Sequence, residues 1–245
     1  MILKLKRKKL IKNNDLPIFE KKIGIQFKNK DLLTQVFVHR SYLNENPGFK
    51  LDHNERMEFL GDAVLELIVT DELYNKLPNP EGELTNIRSA LVKGKTLSDI
   101  ASELGLNHYL MLSKGESKSE GKARQIILAN AFEALIGAIY LDQGYDAAKN
   151  FILNVLLKRL QNVIDQKLYL DPKSHLQELS QADFSITPSY RVISETGPDH
   201  NKVFFVGCFL DDRKISEGND SSKQAAEAVA ATNALEKWEE ISQKD

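Results

Sequence analysis

The segment from His53 to Leu73, HNERMEFLGDAVLELIVTDEL, sets four carboxylates, Glu55, Glu58, Asp62 and Glu66, among residues that otherwise belong in a core. In a helix turning about 100° per residue the four acids fall within an arc of about 80°. Met57, Leu60, Val64, Leu65, Leu67 and Ile68 fill most of the remaining circumference, so this helix is expected to be largely buried. Such a stripe is either the solvated edge of an amphipathic helix or half of a cation site. No Lys or Arg alternates with the acids along the face, and like charges one or two turns apart repel. A divalent metal ion is the compact way to neutralise them.

One acidic face holds a cation rigidly only if ligands converge on it from a second element. The segment ILANAFEALIGAIYLDQG is a candidate: Asn130 and Glu133 stand one turn apart in an otherwise apolar helix. Packed against the first helix, it could bring them to Glu58 and Asp62. Every donor would then be an oxygen, which suits Mg²⁺ or Mn²⁺ and not zinc. A carboxylate-bound Mg²⁺ fits phosphodiester hydrolysis, orienting water and neutralising the leaving oxygen. The alternative for Glu133 is a buried acid paired with a base such as Arg88 or Arg124, and the residues alone leave both open.

The elements that must position these groups follow from the hydrophobic pattern. Spacing of three and four predicts helices at about 17–23, 31–37, 54–76, 83–104, 121–141 and 145–163, with breaks at NENPGF, LPNPEGE and LDQGYD and no strand alternation between them. After Asp165 the pattern changes. DPKSHLQELSQAD reads as a helix begun by Pro172, and SYRVISETG, KVFFVGCFLDD and RKISEGN as three strands. In the second strand Phe204, Val206, Cys208 and Leu210 alternate with Val203, Phe205, Gly207 and Phe209, so both faces are apolar and helices are expected to cover one. A last helix, SSKQAAEAVAATNALEKWEEI, offers Ala225, Ala226, Ala228, Val229 and Ala231 for close packing on the sheet. The expected architecture is an all-α domain over 15–165, a linker over 166–172 and a small α-β-β-β-α domain over 173–243.

Composition is that of an ordinary water-soluble chain: 245 residues, 42% hydrophobic, net charge −2. A single cysteine, Cys208, excludes an intramolecular disulfide and a cysteine zinc site and suits a reducing compartment. The start lacks the apolar region of a secretory signal, and no later run is expected to cross a bilayer, so the chain is expected to be cytoplasmic with no membrane partner. The charge is unevenly spread. Residues 1–14 carry six bases (Lys4, Lys6, Arg7, Lys8, Lys9, Lys12) and no acid, whereas 172–245 carry 8 bases and 13 acids. The tail is either a solubilising end or an arm for polyanions.

These residues also match a known pattern. HNERMEFLGDAVLELIV resembles the signature of the ribonuclease III family, and the resemblance continues through FVHRSYLNEN, EGELTNIRSALVKGKTLSDIASELGL, LSKGE and LANAFEALIGAIYLDQGY. The C-terminal α-β-β-β-α segment resembles that family's double-stranded RNA-binding domain. The resemblance implies a Mg²⁺-dependent endoribonuclease that cuts double-stranded RNA to 5′-phosphate and 3′-hydroxyl ends with short 3′ overhangs, in rRNA and mRNA precursor processing. It implies metal ligands at Glu58 and Glu133, a water-positioning acid at Asp62, and supporting acids at Glu55 and Glu83. It gives Glu66 no role. It also implies a homodimer, with Phe59 inserted into the partner subunit. Asn130 is the departure, since the family usually has Asp there. An amide oxygen can still ligate Mg²⁺, but the site loses one charge. The alternative is a double-stranded RNA-binding protein with weakened catalysis.

A-form RNA is read through 2′-hydroxyls and phosphates across its wide minor groove. The resemblance assigns this to three elements. The first helix of the small domain offers Ser174, Gln177, Glu178 and Gln181; the loop GPDHNKV offers His200, Asn201 and Lys202. The last helix offers Ser221, Ser222 and Lys223 at its N-terminus, where the helix dipole favours phosphate. The family often has two adjacent bases where this chain has Lys223 and Gln224, so phosphate contact is expected to be weaker and the basic tail to supply part of the affinity.

Overall fold

A computed structural model describes residues 16–198 and 202–242. Contacts divide the chain into two compact units, Met1–Tyr169 and Leu170–Asp245. The basic tail and the loop residues His200 and Asn201 lie outside the described residues.

The first unit is helical: α1 (Leu16–Ile23), α2 (Lys30–Val36), α3 (Arg40–Glu45), α4 (Glu55–Lys76), α5 (Glu81–Val92), α6 (Gly94–Leu104), α7 (Gly121–Gln143) and α8 (Tyr145–Asp165). Two short 3-10 turns, Leu106–His108 and Glu116–Lys118, lie between α6 and α7. The stretch expected as one helix over 83–104 is two. Lys93 is extended (φ −61°, ψ 144°) between them, and the Thr96 hydroxyl, 3.0 Å from the Ala90 carbonyl, satisfies one of the acceptors freed at the end of α5. Helix α3 was not expected. Its six residues are too few to show a period, but His39 Nδ1 accepts from the Ser41 amide and caps it. Backbone pairing among the described residues of this unit is a single bridge between Val38 and Met111.

The centre of the unit is α7, which packs on α2, α4, α6 and α8. Phe132, Leu135, Ile136 and Ile139 are fully buried. Contrary to expectation, α7 is by length and composition apolar enough to cross a bilayer. Most of its surface is instead covered by protein, which is why a core helix can look like a span. Its closest neighbour is α4, and two glycines set the approach. A Cβ on Gly61 would lie 1.8 Å from the Glu133 carbonyl oxygen, and one on Gly137 2.2 Å from that of Met57. No side chain fits at either point.

In the second unit α9 (Pro172–Phe184) begins with Pro at its first turn and Asp171 accepting from the Ser174 amide. Strands β1 (Ser189–Thr196), β2 (Val203–Leu210) and β3 (Arg213–Asp220) form an antiparallel sheet in that order, followed by α10 (Lys223–Leu235) and α11 (Trp238–Ser242). Val206, Cys208 and Leu210 are buried, so the alternation within β2 identifies the helix-covered face. The stripe of α10 that is buried is Ala226, Ala230, Ala231 and Ala234, displaced from the expected set; only Ala226 and Ala231 are common to both. A Cβ on Gly218 would meet the Ala230 nitrogen at 2.3 Å, so α10 lies on β3 with no space between. The last expected helix is broken after Leu235, which lets Trp238 and Ile241 turn into the core and Trp238 Nε1 donate to Asp183 at 2.8 Å.

The seam can be tested. Gly61→Ala gains up to about 1 kcal/mol of helix propensity, but overpacking against backbone costs about 1–3 kcal/mol or more. At the distance found here the second effect wins, so urea unfolding is expected to show a net loss of at least about 1 kcal/mol. Gly82→Ala, where a Cβ meets open space, is expected to be neutral or to gain up to about 1 kcal/mol.

Candidate active site

Across the glycine seam the acids of α4 meet those of α7. Glu133, more than half buried, has its carboxyl pushed up to about 7, first by burial and then by the charges of Asp62 and Glu58. The Glu58 carboxyl is also raised, by burial first and then by Glu55; a hydrogen bond from Asn130 opposes this, and Asp62 adds to it. Glu58, Asp62, Asn130 and Glu133 are therefore one electrostatic unit drawn from two helices. Asp62 is exposed, while Glu58, Asn130 and Glu133 are half-buried.

The partners proposed for Glu133 as a buried ion pair are engaged elsewhere. Arg88 Nε pairs with Glu66 at 3.0 Å and its Nη1 donates to the Thr70 hydroxyl. Arg124 donates to the Ser117 carbonyl at 2.9 Å. Glu66 is thus separated from the other acids of its stripe: it is ion-paired with α5, and not merely solvated as the sequence implied. Glu55 has other neighbours, with the Arg40 guanidinium Nη1 at 3.6 Å and the His53 ring Nδ1 at 3.7 Å. Glu83 accepts from Asn79 at 2.7 Å and is not among the charges acting on Glu58 or Glu133.

Among the described residues no three His, Cys, Asp or Glu side chains already form a metal cage. Glu58, Asp62 and Glu133 still act on one another electrostatically. The donor set nevertheless fits a hard divalent ion. It consists of carboxylate oxygens and one amide, with no competing Lys or Arg paired to Glu58, Asp62 or Glu133 among the described ion pairs.

On the second unit Ser174, Gln177, Glu178 and Gln181 share the exposed side of α9. Ser222 caps α10 by accepting from Ala225 at 3.2 Å, and Lys223 follows it, exposed. Lys202 is also described, and both lysines approach Glu195.

The first unit matches the Ribonuclease-III-like family model over residues 29–160, and the second unit matches the double-stranded RNA binding motif over residues 172–238. The chain is 44% identical to ribonuclease 3 of Dehalococcoides mccartyi over 92% of this chain and 95% of that protein. The chain belongs to the ribonuclease III family. It is an endoribonuclease. Ribonuclease 3 of Protochlamydia amoebophila is 43% identical over 91% of this chain and 92% of its own. Among solved structures, a nuclease domain of ribonuclease III from Campylobacter jejuni, described for its flexible region involved in dimer formation, is 39% identical with a TM-score of 0.52. The match covers 57% of this chain and 94% of that one.

Two parts of this site carried no identified signal in the sequence. The glycines at 61 and 137 were visible as helix-interior residues that weaken a helix, but their coincidence across a seam is a tertiary fact. The clamp on Glu55 comes from Arg40 and His53, which lie within the quoted family motifs but had no assigned role.

The pH dependence of stability follows from Glu133. Its ordinary value of 4.5 describes the unfolded chain, and its folded value is about 7, so the folded state binds more protons between the two. The stability tied to the protonated form is complete below about pH 4.5 and is lost as pH rises through about 7. In EDTA the Tm is expected to fall across this window, and Glu133→Gln to flatten most of that fall. Parallel curves for the two proteins would mean that Glu133 does not titrate there.

Proposed function

We propose that the chain hydrolyses double-stranded RNA in a Mg²⁺-dependent reaction, with Mn²⁺ as a possible substitute, leaving 5′-phosphate and 3′-hydroxyl ends with short 3′ overhangs in rRNA and mRNA precursor processing. The nuclease domain is assigned to 15–165 and the double-stranded RNA-binding domain to 173–243, joined through 166–172. The observation that carries this reading is the coupling of Glu58, Asp62 and Glu133 across two helices whose backbones touch.

Glu58 from α4 and Glu133 from α7 would hold the ion from opposite sides of the seam. Bound there, the ion supplies Lewis-acid polarisation of the phosphate and makes water a better nucleophile. Asp62, the most exposed of the three, positions that water at its carboxylate. The Asn130 side chain lies beside Glu58 and acts on it, and its amide oxygen is the acceptor it would offer the ion or its water shell. Glu55, held by Arg40 and His53, stands at the substrate side.

The decisive experiment incubates a long RNA duplex with the chain and Mg²⁺, beside Glu133→Gln and a Ca²⁺ control. Cleavage is expected with Mg²⁺ alone, with a loss of at least about 10³-fold in Glu133→Gln, in the range of removing a key electrostatic group. Retained cleavage in that variant would remove Glu133 from the mechanism. The second reading, an RNA-binding protein with weakened catalysis, rests on Asn130. In the same assay Asn130→Asp is expected to lower the Mg²⁺ concentration needed; an unchanged requirement would place Asn130 away from the ion.

A homodimer is supported by Phe59, a large aromatic on α4 that is 81% exposed. Leu67 on the same helix is exposed too, and the family resemblance gives Phe59 the role of an aromatic that packs into the partner subunit. Light scattering is expected to give twice the 27.7 kDa chain mass, and Phe59→Glu to shift the population toward monomer. A wild-type monomer at concentrations where cleavage is seen would exclude the dimer.

A further inference from the structure

The two described cations of the proposed RNA surface converge on one carboxylate. Glu195, near the end of β1, places Oε2 3.2 Å from Lys202 Nζ and Oε1 3.6 Å from Lys223 Nζ. Phe204 is the cross-strand partner of Glu195, and Lys223 Nζ lies 5.5 Å from the centre of its ring. One cross-strand pair thus steers Lys223 by charge and by the aromatic face. All three charged groups keep contact with water: 38% of the Glu195 side chain is exposed, 33% of Lys202 and 58% of Lys223. The hydrogen bond from Lys202 is the largest influence on Glu195 and, with Lys223, holds its carboxyl below the ordinary range. It stays ionised at neutral pH.

Two ammonium groups around one doubly accepting anion is also how a backbone phosphate would be held. We propose that Glu195 is a built-in competitor for the RNA phosphate. Its carboxylate takes the position between Lys202 and Lys223 and cancels one unit of the positive charge that a duplex would otherwise meet there. This deepens the double-stranded RNA reading of the second unit and rests on it. The effect is large in proportion, because residues 172–245 carry only 8 bases against 13 acids. Each phosphate neutralised releases roughly 0.7–0.9 counterion, so one screened cation is visible in the salt dependence. Glu195 is a positioning and attenuating residue; the lysines are the groups that touch RNA.

The test uses the full chain in EDTA, where cleavage is excluded, with a labelled RNA duplex of about 20 base pairs, just longer than the roughly 16 such a domain spans. Anisotropy titrations across salt give affinity and slope. Glu195→Gln keeps the shape and removes the charge. It is expected to bind about 3- to 10-fold more tightly at low salt, with a slope steeper by about one. Lys223→Ala is expected to bind more weakly with a shallower slope, and in the Glu195→Gln/Lys223→Ala double variant the gain should shrink. If Lys223→Ala weakens binding while Glu195→Gln binds no better and keeps its slope, the role given to Glu195 is overturned and the RNA surface stands. If Lys223→Ala changes neither quantity, the phosphate does not lie at this surface, and the inference falls with that placement.

Discussion

The approach of α4 to α7 is the constraint on which the nuclease unit depends. Gly61 rests against the Glu133 carbonyl and Gly137 against that of Met57, so the spacing of the two helices is set by backbone atoms with no side chain between them. Backbone contact is stiff, since there are no rotamers to adjust. Glu58 and Asp62 flank Gly61 in sequence, and Glu133 itself supplies the contact from the other helix. The acids are placed by the same contact that closes the core. Packing density and the position of the proposed site are therefore one property of this fold.

That arrangement stores electrostatic opposition. Three carboxylates share a partly buried seam, and Glu133 responds by holding a proton to about pH 7. Structural acids elsewhere in the unit are compensated: Glu66 by Arg88, Asp71 by Lys149 at 2.6 Å, and Glu103 by Arg159 at 2.6 Å. The contrast is what supports the proposed site, because perturbed groups without a protein counter-charge are candidates for meeting a ligand that supplies one.

The two helices of the site were legible in the sequence because each is long and periodic, and the oddity of Asn130 and Glu133 within an apolar run survives any error at the helix ends. Helix α3 was not, since six residues carry no period and its cap is a histidine. The break at Lys93 was also hidden; Gly94 and the following Thr96 are ordinary within a helical pattern, and only the Thr96–Ala90 bond reveals the turn. Partner choice was the other blind spot. Arg88 could be named as a base for Glu133, but a sequence does not say that α5 delivers it to Glu66. In the small domain alternation in β2 located the covered face, while the exact stripe of α10 depended on where Gly218 lets the helix settle.

Helix α7 has a further consequence during synthesis. It is a 23-residue segment apolar enough to pass for a bilayer span, so in an unfinished chain it is a hazard, open to mis-sorting and to self-association. The order of elements limits the exposure. Helices α2, α4 and α6, which cover much of it, leave the ribosome first, and α8 follows after a single residue, Gly144. The chain thus presents its most aggregation-prone segment only once most of its shelter has been made, and the glycine at 61 is already waiting for it.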